Sequence, residues 1–157
     1  MIQIVNLKIN DINLRKAHLR DRLLIYYWFN DKDSIRYKIK TKHKILLHQH
    51  NIWYTNFLRQ NKSFLWIIQF EKYDIGSIRA SFLKKKEYEI DIFVEKKYRG
   101  YELAAKALAK AEENFDIGTS LYSYVKKNNI RSFNFFKKNK YLISQSSKKI
   151  WLMQKKI

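Results

Sequence analysis

Between Glu87 and Phe115 the spacing of apolar residues changes period once. Tyr88, Ile90, Ile92 and Val94 alternate with Glu87, Glu89 and Asp91, which is the period of a strand with one face turned to a core. Leu103, Ala107, Ala111 and Phe115 then recur at every fourth position, with Ala104 and Leu108 beside them, which is one face of a helix. Lys96-Lys97-Tyr98-Arg99-Gly100 lies between the two. A basic turn opening into a helix suits an anion, because the first-turn N–H groups have no partner inside the helix and the helix dipole is positive there.

The flanking pattern extends this unit in both directions. Ile2 to Ile9 alternates loosely and predicts a first strand; Asp11 is a candidate N-cap for one or two helices reaching Phe29. Residues 30–34 read as a turn and 35–41 as extended or loop. Residues 44–59 predict a helix on which Leu46, His50, Trp53 and Phe57 share a face. Residues 63–73 and 77–83 predict strands joined by a turn at Asp74 and Gly76. Gly118 is expected to close the central helix. A strand over 121–125, an aromatic-faced helix over 129–139 and a closing strand pair at 141–143 and 150–153 complete the chain. The expected fold is α+β (mixed α/β), with a mostly antiparallel mixed sheet of about six to seven strands flanked by about four helices.

Composition narrows the class. At 157 residues, a single domain over 1–157 is expected, and 46% apolar with 16% aromatic residues suffices for a sizeable core. No apolar run is long enough to span a bilayer, and the N-terminal residues lack the charged and apolar regions of a signal peptide, so a soluble cytoplasmic protein is expected. The absence of cysteine excludes disulfides, a thiolate nucleophile and a Cys-based zinc site, and the four scattered histidines have no metal-ligand spacing. The formal charge of +19 attracts polyanions: nucleic acid, CoA or nucleotide-sugars. Abundant Lys, Ile and Asn without proline equally fits a coding bias.

Arg99-Gly100-Tyr101-Glu102-Leu103-Ala104, following an acidic-apolar strand, resembles the acyl-CoA signature of the GNAT superfamily, Arg/Gln-x-x-Gly-x-Gly/Ala. Arg99 and Ala104 match its ends, and Glu102 stands where the first glycine is expected. A second segment resembles the last conserved stretch of that family, with Asn129, Ser132, Phe135, Phe136, Lys138 and Tyr141 at its offsets and Lys140 in place of a glycine. Trp28-Phe-Asn30-Asp31, His50-Asn-Ile-Trp53-Tyr54 and Ile75-Gly76-Ser-Ile-Arg79 are similar to members that acetylate amino groups on nucleotide-linked sugars, and partly to those acting on ribosomal proteins or aminoacyl groups.

The resemblance implies an acetyl-CoA-dependent N-acetyltransferase acting on a small-molecule amine, a nucleotide-sugar by this branch. A protein N-terminus or aminoacyl-tRNA is the alternative acceptor, and a non-catalytic basic nucleic-acid-binding module is the alternative of another class. Self-association as a homodimer is left open. By resemblance the cofactor lies along Ile92, Phe93 and Val94, the turn from Arg99 through Gly100, Tyr101, Glu102 and Leu103 to Ala104, and Asn129, Ser132, Phe136 and Lys138. An N–H near Phe93 or Val94 is the implied oxyanion donor. Asn129 equally reads as a plain helix cap. Trp28, Asn30, His50, Trp53 and Arg79 are the expected substrate contacts. Glu89 is the first choice of base and Asp91 the alternative, with both as solvent-facing charges the plainer reading. His50 is a base, a substrate ligand or a satisfied half-buried histidine. Phe136 replaces a tyrosine that protonates the leaving thiolate in many relatives, which leaves water, Tyr98, Tyr101 or Tyr124 for that role. A Glu102 carboxylate pointing into the turn would oppose a pyrophosphate; pointing away, it would leave the backbone N–H groups free.

Overall fold

A computed structural model describes residues 12–40 and 43–157. The predicted strand over 2–9, and Asp11 as a cap, lie outside the described residues. In chain order the elements are β1 (Ile12–Lys16), α1 (Arg22–Phe29), α2 (Lys32–Tyr37), α3 (Leu47–Leu58), β2 (Phe64–Phe70), β3 (Tyr73–Lys84), β4 (Glu87–Val94), α4 (Leu103–Glu112), β5 (Ser120–Lys126), α5 (Ile130–Lys138), β6 (Leu142–Ser146) and β7 (Ile150–Lys156). Short 3-10 turns at Leu19–Asp21 and Lys96–Tyr98 precede α1 and α4. The strands form one sheet in the order β1-β2-β3-β4-β5-β7-β6. Among the described strands only β4 and β5 are parallel neighbours. This is the mixed, mostly antiparallel sheet expected, with five α-helices among the described residues where about four were expected.

The alternation of β3 and β4 sorts two layers. Ile78, Ala80, Ile90 and Val94 turn to a core shared with Leu103, Ala107, Leu108 and Ala111 of α4 and Phe136 of α5. Leu65 and Ile67 of β2 turn the other way, to Ile25, Trp28 and Phe29 of α1 and Tyr54 and Phe57 of α3. Strand β2, held between β1 and β3, is thus apolar on both faces, which explains its unbroken run of hydrophobic residues. Ile67, Ile68, Ile75 and Ile78 are fully buried, each contributing on the order of 1.5–3 kcal/mol as an upper figure. Trp28 and Trp66 are buried and Trp53 and Trp151 pack against the same clusters, so all four tryptophans serve packing.

Several local expectations are corrected. Residues 12–16 are strand, not helix, because Ile12 to Lys16 pair with Phe70 to Trp66. The span read as turn and loop holds α2, whose N-cap Asp31 accepts from the Asp33 N–H at 2.9 Å. Leu46 precedes α3 and is exposed, so it does not share the face of His50. The β2–β3 turn is at Glu71 and Lys72 rather than Asp74 and Gly76. Gly76 is inside β3 because a Cβ there would stand 2.1 Å from the Phe93 carbonyl oxygen. α4 ends at Glu112, and Phe115 reaches the core from the following turn. No helix among the described residues is long and apolar enough to cross a membrane.

Candidate functional site

The sheet is split at its centre. β4 and β5 pair only at Glu87↔Ser120, Tyr88↔Leu121 and Glu89↔Tyr122. Beyond that point residues 90–94 stay paired with β3, and residues 123–126 with β7, but not with each other. The two inner edges diverge into a wedge roughly 15 Å long. Unpaired backbone groups inside a fold require partners, so the wedge suits an extended molecule that carries amide groups of its own.

At the wide end of the wedge the chain turns from β4 into α4. Gly100 (φ 87°) and Glu102 (φ 60°) both adopt the left-handed conformation, which presents successive N–H groups ahead of the ten-residue helix α4. Nothing lies within 4 Å of a Cβ at Gly100, so its backbone angle rather than space calls for glycine. Glu102 carries that strain without being glycine. Its side chain turns away from the turn and accepts from Lys138 Nζ at 2.8 Å. The Lys138 ammonium holds this exposed carboxyl below its ordinary value. The first N–H groups of α4 are therefore left to a ligand.

The remaining cofactor candidates divide by position. Ile92 and Val94 face α4, whereas Phe93 faces α1 and packs at a tilt against Trp28, with ring centroids 5.8 Å apart. Arg99 donates from Nε to the Val94 carbonyl at 2.7 Å and from Nη1 to Asp33. Tyr101 is exposed, Leu103 is buried in the core and Ala104 is half-buried against it. Asn129 is buried and accepts from the Ser132 N–H at 3.2 Å, so it does cap α5. Phe136 is core, packed edge-on to Tyr141 at 5.0 Å. The Tyr141 hydroxyl donates to Glu112, and burial, then Glu112, pushes its pKa up. Of the tyrosines proposed as proton donors, Tyr101 and Tyr124 are exposed and Tyr98 packs half-buried against the core.

On the opposite face of the wedge the structure gathers charge. Glu89 lies opposite Ser81 on one side and Tyr122 on the other, at the point where the strands part. Among the described residues no ion pair engages Glu89. Asp91, two residues on, accepts from Arg79 Nη2 at 3.3 Å. The Arg79 guanidinium lies over the rings of Phe29 (5.6 Å) and Trp53 (5.8 Å), and its Nε is buried without a partner. Lys38 donates to the Phe29 carbonyl at 2.6 Å. Burial depresses its pKa, with Asp91 opposing the shift and Arg79 adding to it.

His50 is fully buried among Tyr26, Phe29, Trp53 and Tyr54. Its Nε2 sits 2.8 Å from the Arg22 carbonyl, which fixes that nitrogen as the donor. Burial keeps the ring neutral by lowering its pKa, against the pull of that carbonyl. His50 therefore sits behind Phe29 and Trp53, not beside Glu89. Trp28 Nε1 donates to Glu95 at 3.0 Å. The Asn30 amide exchanges two hydrogen bonds with the backbone of Ile45, tying the start of α2 to the approach to α3.

Sequence reasoning missed Phe29, Lys38, Asp33 and Arg131 at this site. Phe29 had read as an ordinary helix position. The other three gather here through α2, which carries Asp33, is met by Arg131 and is followed by Lys38. Asp31 followed two residues later by an acidic Asp33 in the first helical turn is the signal that could have revealed it.

Residues 11–141 match the family model described as an acetyltransferase (GNAT) domain. No curated protein matches the chain. Among solved structures, the chain is similar to a domain from Methanocaldococcus jannaschii (17% identity, 93% of this chain and 98% of that one, TM-score 0.79). It is similar to spermidine N-acetyltransferase from Vibrio cholerae, solved with CoA and spermine (13% identity, 93% and 95%, TM-score 0.80). It also resembles ribosomal-protein-alanine N-acetyltransferase from Brucella melitensis (16% identity, 92% and 99%, TM-score 0.72). At these identities the likeness is one of fold.

Proposed function

The chain belongs to the GNAT acetyltransferase family, and from that premise we propose that its acceptor is a primary amine carried by an anionic molecule, chemically an amino group on a nucleotide-activated sugar. As a family member it is an N-acetyltransferase using acetyl-CoA. Acetyl-CoA supplies an acyl thioester when bound. The residues fit such a group: the unpaired edges of β4 and β5 would meet the amides of its arm, and the left-handed turn at Gly100 and Glu102 before α4 would meet its phosphates. Arg99, Asn129 and Lys138 border that path.

The observation that carries the acceptor class is Arg79, paired with Asp91, with Lys38 near enough for the two cations to reinforce one field. Arg79 keeps a buried, unpartnered Nε–H while its ring-stacked guanidinium is held in place, which suits a phosphate or carboxylate. Glu89, at the vertex of the wedge, would take the proton from the acceptor ammonium. Asp91 would hold that ammonium in place, and a backbone N–H of residues 92–94 would face the carbonyl oxygen.

A second reading has its own observation. A cavity of about 460 Å³ beside α1 is lined by Tyr27, Trp28 and Phe93 with Asp31 and Glu95, and also by Lys96 and Lys97; its rings and carboxylates are what a polyamine would use, and a structural neighbour is a spermidine N-acetyltransferase. Turnover with a uridine-diphosphate amino sugar, the same sugar without its nucleotide, and spermidine separates the two. The first should be preferred by about tenfold or more in kcat/KM, with the preference lost in Arg79→Ala. Preference for the free sugar or for spermidine would overturn the anionic-acceptor reading.

A further inference from the structure

Helix α2 joins the two free ends of the wedge. Asp33 accepts from Arg99, in the turn after β4, and from Arg131 of α5 at 3.4 Å. Both arginines meet the same oxygen, Oδ2. At the last position of β5, three residues before the α5 cap Asn129, Lys126 Nζ donates to the Arg36 carbonyl at 3.0 Å. No other element among the described residues connects the β4–α4 turn to α5 through a shared carboxylate.

We propose that Asp33 is a positioning residue of the cofactor site: it holds Arg99 and Arg131 poised at the mouth of the wedge and yields them to the phosphates of acetyl-CoA. The inference rests on the family's cofactor and is independent of the acceptor. Charge accounting favours the exchange. One carboxylate faces two guanidiniums, leaving a net positive charge, and Arg99 stands next to the left-handed turn whose N–H groups are open to an anion. A pyrophosphate brings more than one negative charge and engages arginine in the same forked geometry as a carboxylate. Asp33 is only partly exposed, and its hydrogen bond from Arg99 holds the carboxyl below its usual value, against burial. It is therefore a fully charged competitor at neutral pH. The exchange would also remove the two arginine contacts that tie α2 to the β4–α4 turn and to α5.

The test has a signature of opposite signs. Asp33→Asn should melt at lower temperature than the wild type, because two charged bonds are weakened. The same variant should bind inorganic pyrophosphate and acetyl-CoA more tightly, by about tenfold in calorimetry at low salt. Glu113→Gln, which removes one exposed carboxylate without touching either arginine, should leave both affinities within about twofold. A merely structural Asp33 would lower stability and affinity together, and unchanged or weaker binding in Asp33→Asn overturns the proposal. Should that variant not fold, hydrogen exchange of the wild type decides. Saturating acetyl-CoA should speed exchange in the peptide covering α2; slower or unchanged exchange there overturns the proposal equally.

Discussion

Gly76→Ala is the most informative single substitution in the sheet. Gly76 pairs with Val94, at the far end of the stretch of β4 that has no β5 neighbour. A Cβ at this position would stand 2.1 Å from the Phe93 oxygen and 3.0 Å from the Val94 Cα. Ordinary contact requires the carbonyl to retreat by about 1 Å or more. The obstructing atoms are backbone, so no side-chain tip can swing aside, and the strain falls near the upper end of the 1–3 kcal/mol typical of overpacking, about 3 kcal/mol. With an unfolding entropy of about 2.1 cal/mol/K per residue over this chain, the expected loss in Tm is about 9 °C. The displaced stretch is also the inner wall of the wedge, which has no β5 partner to restrain it. Acetyl-CoA affinity should therefore fall by about tenfold or more at a temperature where the variant is fully folded. Denaturant melts and calorimetry on the same preparation measure both quantities. A variant with wild-type Tm and wild-type acetyl-CoA affinity would refute the close backbone approach and its link to the wedge.

Lys140→Gly should raise stability by about 0.5–1 kcal/mol, or about 2 °C in Tm. Lys140 (φ 69°) is the left-handed residue of a Schellman motif in which the Tyr141 N–H donates to the Phe136 carbonyl at 3.0 Å and the Lys140 N–H to Lys137 at 3.1 Å; an unchanged Tm would refute the strain assigned to it. His50 sets an acid limit on stability. Its folded pKa lies below the ordinary 6.5 because of burial, so the unfolded chain takes up that proton first and the stabilisation present above pH 6.5 is lost as pH falls below it. Denaturant midpoints measured downward from pH 6.5 should fall less steeply in His50→Gln than in the wild type. Glu89→Gln should lower kcat by about 10²-fold with acetyl-CoA affinity unchanged. The defect should narrow toward pH 10, where amines lose their proton unaided; a defect equal at all pH values would remove Glu89 as the base.

The sequence carried the sheet and the turn more clearly than it carried the helix that closes the site. Tyr88 to Val94 alternate because one face of β4 meets α4, and Arg99 to Ala104 declare a turn by their charge and their glycine. Those features are local, so spacing alone reveals them. α2 has six residues and no apolar face of its own; it is held by Asp33, Lys38 and Ser34, whose partners are distant in the chain or carbonyls of α1. Such an element leaves almost no periodic trace. Gly76 misled for a similar reason. Glycine signals a turn when only neighbours in sequence are considered, whereas here it answers to a backbone that arrives from β4. The departures from glycine at Glu102 and Lys140 were visible, and the structure explains why they stand out: both residues have positive φ.

The same split that opens the wedge also partitions the chain into two assembly units. β1 to β4 pair only with strands from the first part of the sequence, and β5 to β7 only with one another, apart from the short parallel seam between Glu87–Glu89 and Ser120–Tyr122. Each unit closes chiefly through antiparallel pairing within its own stretch, which lowers the entropic cost of forming it alone. The seam is the shortest strand pairing among the described residues, three residue pairs long, and α4 and α5 pack beneath it. An architecture that keeps a cleft open at its centre thereby concentrates its subglobal opening along the line where the ligand must enter.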